Sequence, residues 1–182
     1  DWGVHLLDIV QWAMGVDYPE AASTSGGKFA LNDNRETPDT LQATFTYPGF
    51  ICTYENRSGN GNPLMQQGYG IVFYGSTASL YVNRSFLEII PEPGRGLVPQ
   101  RVDNSNNSGA DHFANFIDCM RSRERPTSDI EIGHRSSSTA ILGNVSYRTG
   151  RSIVWDGESE SVVGDAEASE MLGRAYRAPW VL

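Results

Sequence analysis

The stretch Leu41-Gln42-Ala43-Thr44-Phe45-Thr46-Tyr47-Pro48-Gly49-Phe50-Ile51-Cys52-Thr53-Tyr54-Glu55 reads as two β-strands and the turn between them. Leu41, Ala43, Phe45 and Tyr47 alternate with Gln42, Thr44 and Thr46, so a strand places the first set on one face and the second on the other. Pro48-Gly49 is a turn pair, and residues 50–55 return as the second arm of an antiparallel hairpin with one apolar face. Downstream, 57–62 is a loop of Asn and Gly. Residues 68–74, 79–83 and 86–90 read as further antiparallel strands, ended by Pro91 and Pro93. Residues 92–109, rich in Gly, Pro, Asn and Ser, read as one long connection, the kind of segment that lines a cleft or moves.

The last third changes period. Phe113, Phe116, Ile117 and Met120 follow the i, i+3, i+4, i+7 rule, which predicts an amphipathic helix over 111–121, packed on the sheet with its polar face outward. A second helix is predicted over 133–148, burying Ile141, Leu142 and Val145 and closed by Gly150. A short strand at 152–155, a short helix at 166–172 and an aromatic tail ending in Tyr176-Arg177-Ala178-Pro179-Trp180, expected to dock on the domain, complete an α+β pattern.

At 182 residues the chain fits one domain with a real core. Net charge is −8 with a single lysine, Lys28, which argues against nucleic acid or an anionic membrane surface and favours a small-molecule partner. No apolar run reaches membrane-span length. Cys52 and Cys119 have no metal-like spacing and read as buried or idle thiols, not as a bridge or a zinc site.

Upstream of the hairpin lies Asp1-Trp2-Gly3-Val4-His5-Leu6-Leu7-Asp8-Ile9-Val10-Gln11-Trp12. As a helix from about residue 4, it places His5, Asp8 and Trp12 on one face with Asp1 just upstream, and Leu6, Val10 and Ala13 roughly opposite. A histidine flanked by two carboxylates can hold a proton near neutral pH and pass it on, as a general acid/base must. The same spacing also suits a helix whose acids favour its positive end and whose histidine is merely solvated. Trp12 reads as core, because a tryptophan on a packed helix buries a large apolar area. His134 and Arg135 open the penultimate helix, where a cation and a donor meet a substrate hydroxyl or carboxylate. Alternatively Arg135 pairs with Glu131 and His134 caps or packs. His112 reads as structural.

The order of these pieces resembles the C-terminal domain of the Gfo/Idh/MocA oxidoreductases, the family of glucose-fructose oxidoreductase and inositol dehydrogenase, in a bacterial subgroup. DWGVHLLDIVQW is similar to the family's DxxxH followed by an Asp and a Trp. FYGSTASLYVNR is similar to a mid-sheet strand pair, and HFANFIDCMRSRERPTSDIEIGHRS and RSIVWDGESESVVGDAEASEMLGRAYRAPW follow in the family's order. The resemblance implies an open, mainly antiparallel sheet with helices packed on one face, of the dihydrodipicolinate-reductase-like kind. It implies that the whole chain is the substrate-binding and catalytic domain of an NAD- or NADP-dependent oxidoreductase of a sugar, polyol or cyclitol. His5 then corresponds to the acid/base, Asp1 to the carboxylate beside it, and Asp8, with His134 and Arg135, to substrate contacts. The nucleotide-binding Rossmann domain and its lysine lie outside this chain. Gly68-Tyr69-Gly70 precedes a strand and not a strand-to-helix turn, so it is no dinucleotide fingerprint. Alone, the chain is not expected to turn over. Tyr54, Tyr69 and Tyr74 are expected on a sheet face used for subunit contact, giving a homo-oligomer. Two other readings use the same residues: a nicotinamide enzyme with no net redox (epimerisation or glycosidic elimination), and a non-catalytic sugar-binding or assembly module. Cytoplasmic and exported locations are equally open.

Overall fold

The alternation at 41–47 builds the strand it predicts. In a computed structural model that describes residues 2–63, 67–105 and 108–180, Ala43, Phe45 and Tyr47 are buried and Gln42 and Thr46 exposed. The chain opens with α1 (Trp2–Met14), β1 (Ala21–Gly27), β2 (Thr40–Tyr47) and β3 (Phe50–Arg57). It continues through β4 (Ile71–Tyr74), β5 (Ala78–Val82), β6 (Phe86–Pro91), β7 (Gln100–Asp103) and α2 (Ser108–Ser122). It ends with α3 (Ile130–Thr149), β8 (Ile153–Asp156), β9 (Ser161–Val162) and α4 (Ala166–Glu170). These fall into two compact units, Asp1–Gly61 with Glu131–Leu182, and Asn62–Ile130. The fold is α+β as predicted, with two antiparallel sheets in place of one.

In the first unit the strands run in the order β3-β2-β1-β8-β9, every neighbour antiparallel. The β2–β3 hairpin closes with Tyr47 opposite Phe50, whose rings stack at 4.7 Å. Gly49 takes φ +86°, the left-handed region that favours glycine, which explains the Pro-Gly pair. One sheet face is the core: Leu7 of α1 and Leu142 and Val145 of α3 pack with Ala22, Ala43, Phe45, Tyr47 and Ile153. Gly143 lets α3 come this close, since a Cβ there would stand 3.2 Å from the Phe45 ring. Each such large side chain contributes about 1.5–3 kcal/mol through burial. The other face carries exposed Ser23, Ser25, Gln42, Thr46, Ile51, Thr53 and Glu55.

The link from β1 to β2 is organised by one side chain. Asp39 is fully buried, and its carboxylate accepts the N–H groups of Phe29, Ala30 and Leu31 at 2.8–3.1 Å and the Thr40 hydroxyl at 2.8 Å. Its own backbone reaches both flanking strands' ends: its N–H donates to Gly27 O and its carbonyl accepts from Ser58 N.

In the second unit β4-β5-β6-β7 form an antiparallel meander. The fourth strand, Gln-Arg-Val-Asp, falls within the long connection predicted over 92–109. It is short, polar and fully exposed, so it carries no periodic signal and is a strand only because β6 offers it an edge. The helix predicted over 111–121 is present, but Phe113, Phe116, Ile117 and Met120 are all exposed, Phe113 by 72%. The period identified the helix. It did not identify a partner for the apolar stripe, and the expected packing on a sheet is not observed. Likewise the aromatic tail is exposed at Tyr176 and Trp180 in place of docking.

Candidate active site

The buried stripe of α1 is Gly3, Leu7, Val10 and Gln11. Both ends of the helix are fixed. Near its start, Gly3 lies over the Tyr54 ring, so that a Cβ would stand 3.5 Å from Cζ. Near its end, buried Gln11 donates from Nε2 to Asp17 O at 2.8 Å and to Thr139 Oγ1 of α3 at 2.9 Å. Tyr54 therefore faces the helix and the core, not a subunit contact, and its burial raises the phenol's pKa. Tyr74 is exposed, as a contact face would require.

With the buried stripe fixed, the 3.6-residue period determines what points outward. His5 lies about half a turn from the centre of that stripe and is exposed. The Trp2 ring stands edge-on to the imidazole, centroids 6.1 Å apart at 69°. Asp8, one turn on, is half-buried beside the same row. Trp12 is 80% exposed, which corrects the expectation that it is core. Ala13 is exposed too. The sequence pattern placed the apolar side about one residue away from the true stripe, because Gln11, a polar residue, takes a buried position that only its two hydrogen bonds make tolerable. Asp1 lies outside the described residues.

His134 and Arg135 are engaged elsewhere. Glu160 Oε1 stands 2.8 Å from His134 Nε2 and accepts from Arg135 Nη1 at 3.2 Å, while Nη1 also donates to Gly157 O. Arg135 further pairs with Glu131 at 3.7 Å and lies over the Tyr18 ring at 5.6 Å. This cluster ties the β8–β9 hairpin to the start of α3. Thr139, which holds the end of α1 through Gln11, is one turn beyond Arg135. His5 is six residues, about 9 Å of helix, further toward the other end of α1, so the structure does not bring His134 or Arg135 to His5. Glu160, the hub of the cluster, sits at φ +50° in a turn and has no sequence signal. Replacing Arg135 by Ala is expected to cost about 1–2 kcal/mol, since a guanidinium hydrogen-bonded to a carboxylate and a carbonyl is lost. Thermal melts check the cost, and a raised KM with no stability loss would contradict a clamp role.

His112 is exposed on α2 beside Phe113. Both cysteines are free, and burial pushes the Cys52 thiol up to about 11. Among the described residues no cluster of His, Cys, Asp and Glu could hold a metal ion, and no helix is long and apolar enough to cross a membrane. Nor do they offer a dinucleotide cradle: Gly68-Tyr69-Gly70 leads into β4, not into a helix.

The whole chain, residues 1–182, matches the oxidoreductase family C-terminal alpha/beta domain of the Gfo/Idh/MocA group. The chain belongs to this family. Among curated proteins, none matches it by sequence. Solved structures share its fold at low identity. UDP-N-acetylglucosamine 3-dehydrogenase GnnA from Acidithiobacillus ferrooxidans has a TM-score of 0.64 at 15% identity, over 81% of this chain and 46% of its own. An oxidoreductase from Agrobacterium radiobacter, in complex with NAD+, L-tartaric acid and magnesium, has 0.63 at 14%, over 85% and 48%. The WlbA dehydrogenase from Bordetella pertussis, in complex with NADH and UDP-GlcNAcA, has 0.55 at 15%, over 86% and 44%. The Gfo/Idh/MocA domain described here therefore spans about half the length of those proteins.

Proposed function

We propose that this domain is the substrate-binding and catalytic part of an NAD- or NADP-dependent oxidoreductase acting on a sugar, polyol or cyclitol, with His5 as its acid/base. The observation that carries the reading is the placement of His5: it sits at the outermost position of a helix anchored at both ends, with Asp8 one turn away and Trp2 against the ring. Bound in the enzyme, the nicotinamide supplies the hydride acceptor. In this reading the cofactor is held mainly by a nucleotide-binding domain outside these residues.

In this reading the His5 imidazole takes the proton of the hydroxyl being oxidised and returns it in the reverse direction. Asp1 is assigned to orient and charge the imidazole, and Asp8 to accept a hydrogen bond from a neighbouring substrate hydroxyl. The ion cluster of His134 and Arg135 is assigned to the fold. Assembly into a homo-oligomer belongs to the same reading, supported by the uncovered outer face of the five-stranded sheet, where Ile51 and Val154 stand exposed among Ser and Thr. The test is to supply the full natural chain with NAD+ or NADP+ and a panel of sugars, polyols and cyclitols and follow the absorbance of reduced nicotinamide. Reduction by one structural subset of the panel is expected. Silence with both cofactors across the panel would sink the reading.

A further inference from the structure

The stripe that α1 buries is poor in apolar side chains. Of its residues, Gly3 has no side chain and Gln11 is polar, which leaves Leu7 and Val10. About 100° round the helix, one residue's turn, lies a second face made of Leu6, Ile9, Val10 and Ala13, apolar throughout. Burial of apolar area alone would favour rolling α1 toward that second face. What opposes the roll is directional. Gln11, 6% exposed, donates from Nε2 to Asp17 O and to Thr139 Oγ1. Thr139 is itself fully buried and donates to Arg135 O at 3.2 Å, and Arg135 is the residue that Glu160 ties to the β8–β9 hairpin. A hydrogen bond weakens when its angle is lost, so the two bonds of Gln11 select one angle of α1 about its axis, as a single buried amide fixes the register of a coiled coil.

The angle matters for His5. Side chains reach about 5–6 Å from a helix axis, so a turn of about 10° carries the imidazole through about 1 Å, and a misplacement of that size can cost on the order of 10²-fold in rate. We infer that Gln11, with Thr139 behind it, is a positioning residue: it holds α1 at the angle at which His5 meets the hydroxyl being oxidised. This rests on the proposed role of His5. Gln11 and Thr139 are both buried beneath the helix, so they act on the reaction only through it.

A positioning role separates rate from stability. In Gln11→Met an unbranched apolar side chain of similar length takes the buried place. It strands no buried donor, since the Thr139 hydroxyl keeps Arg135 O, and Asp17 lies at an exposed position within reach of water. In the full natural chain the unfolding midpoint should therefore rise or fall by no more than about 3 °C. Over the same variant, kcat should drop about tenfold or more on whichever member of the panel of sugars, polyols and cyclitols the parent oxidises fastest. Thr139→Val, which removes the acceptor, should lower kcat in the same sense. The deciding readout is the combination with His5→Ala. If Gln11 acts through His5, Gln11→Met slows the parent about tenfold but slows the His5→Ala variant by less than about twofold. Parent-level kcat in Gln11→Met, an equal further loss in the His5→Ala background, or a midpoint lowered by more than about 3 °C together with the rate would each overturn the positioning role and leave His5 as the acid/base. His5→Ala at the parent rate, or a parent silent across the panel, would instead overturn the reading of His5 and this inference with it.

Discussion

Replacing His5 with alanine in the full natural chain is expected to lower turnover by about 10²–10⁴-fold, the usual contribution of a positioned acid/base, while the unfolding midpoint moves by no more than about 2 °C. The two halves of that expectation come from the same geometry. The imidazole is exposed and points away from the stripe of Gly3, Leu7, Val10 and Gln11 that holds α1 on the sheet, so its removal opens no cavity and strands no buried partner. What is lost, in the proposed role, is the proton acceptor at one point above the helix. Free imidazole added to the variant should restore part of the rate, because the site left by the side chain is open to solvent, and Asp8→Asn should cost less than His5→Ala, because the role proposed for Asp8 is to hold a substrate hydroxyl and not to take the proton. A variant that turns over at the parent rate would return His5 to the other reading of the sequence, a solvated histidine on an acidic helix. A variant that loses rate and stability together would mean that the ring braces the helix through Trp2.

Tyr54 and Gln11 are expected to act on the same chemistry through α1, and they show where the sequence stopped being legible. The β2–β3 hairpin, α3 with Gly150 after it, and the His5–Asp8 row were readable because each is written in local spacing: period two, a glycine after a helical run, residues three apart. The site residues that depend on contacts between elements were not. Tyr54 alternates with exposed residues in a strand, and nothing in that pattern says which face a helix will cover; the answer lies in Gly3, fifty residues away in sequence. Trp12 shows the same limit in reverse. Its size argues for burial, yet the orientation of α1 is set by Gln11 bonding to Thr139 on a distant helix, and that rotates the indole outward. Phe113, Phe116, Ile117 and Met120 form a correct helical stripe whose burial the sequence could not supply, since amphipathicity specifies a face and not what covers it. Glu160 left no trace, because a carboxylate in a turn gathers two cations only once α3 and the β8–β9 hairpin are packed.

The same limit applies to Asp39, which has no local signal in the sequence and is expected to be the most costly single carboxylate to remove from the fold. Its environment is all donors: the N–H of Leu31 first, then those of Ala30 and Phe29, and the hydroxyl of Thr40, with burial opposing them and outweighed, so the carboxyl is held well below the usual carboxylate range. Asp39→Ala leaves three backbone donors of residues 29–31 facing a buried void, and Asp39→Asn turns an amide nitrogen toward them. Either change should lower the unfolding midpoint by roughly 5–10 °C in a chain of this size, with the loop from Lys28 to Asp39 the first segment to exchange its amide hydrogens. The pH dependence has a fixed sign. Because the folded chain keeps this carboxylate ionised where the unfolded chain, with an ordinary value of about 4, would take up a proton, Asp39 stabilises the fold at neutral pH and that contribution drains away as the pH falls below about 4. Melting curves of the parent and of Asp39→Asn should therefore converge on acidification. If the gap between them is the same at pH 3 as at pH 7, the carboxylate's charge is not what holds the loop, and its role is one of shape alone.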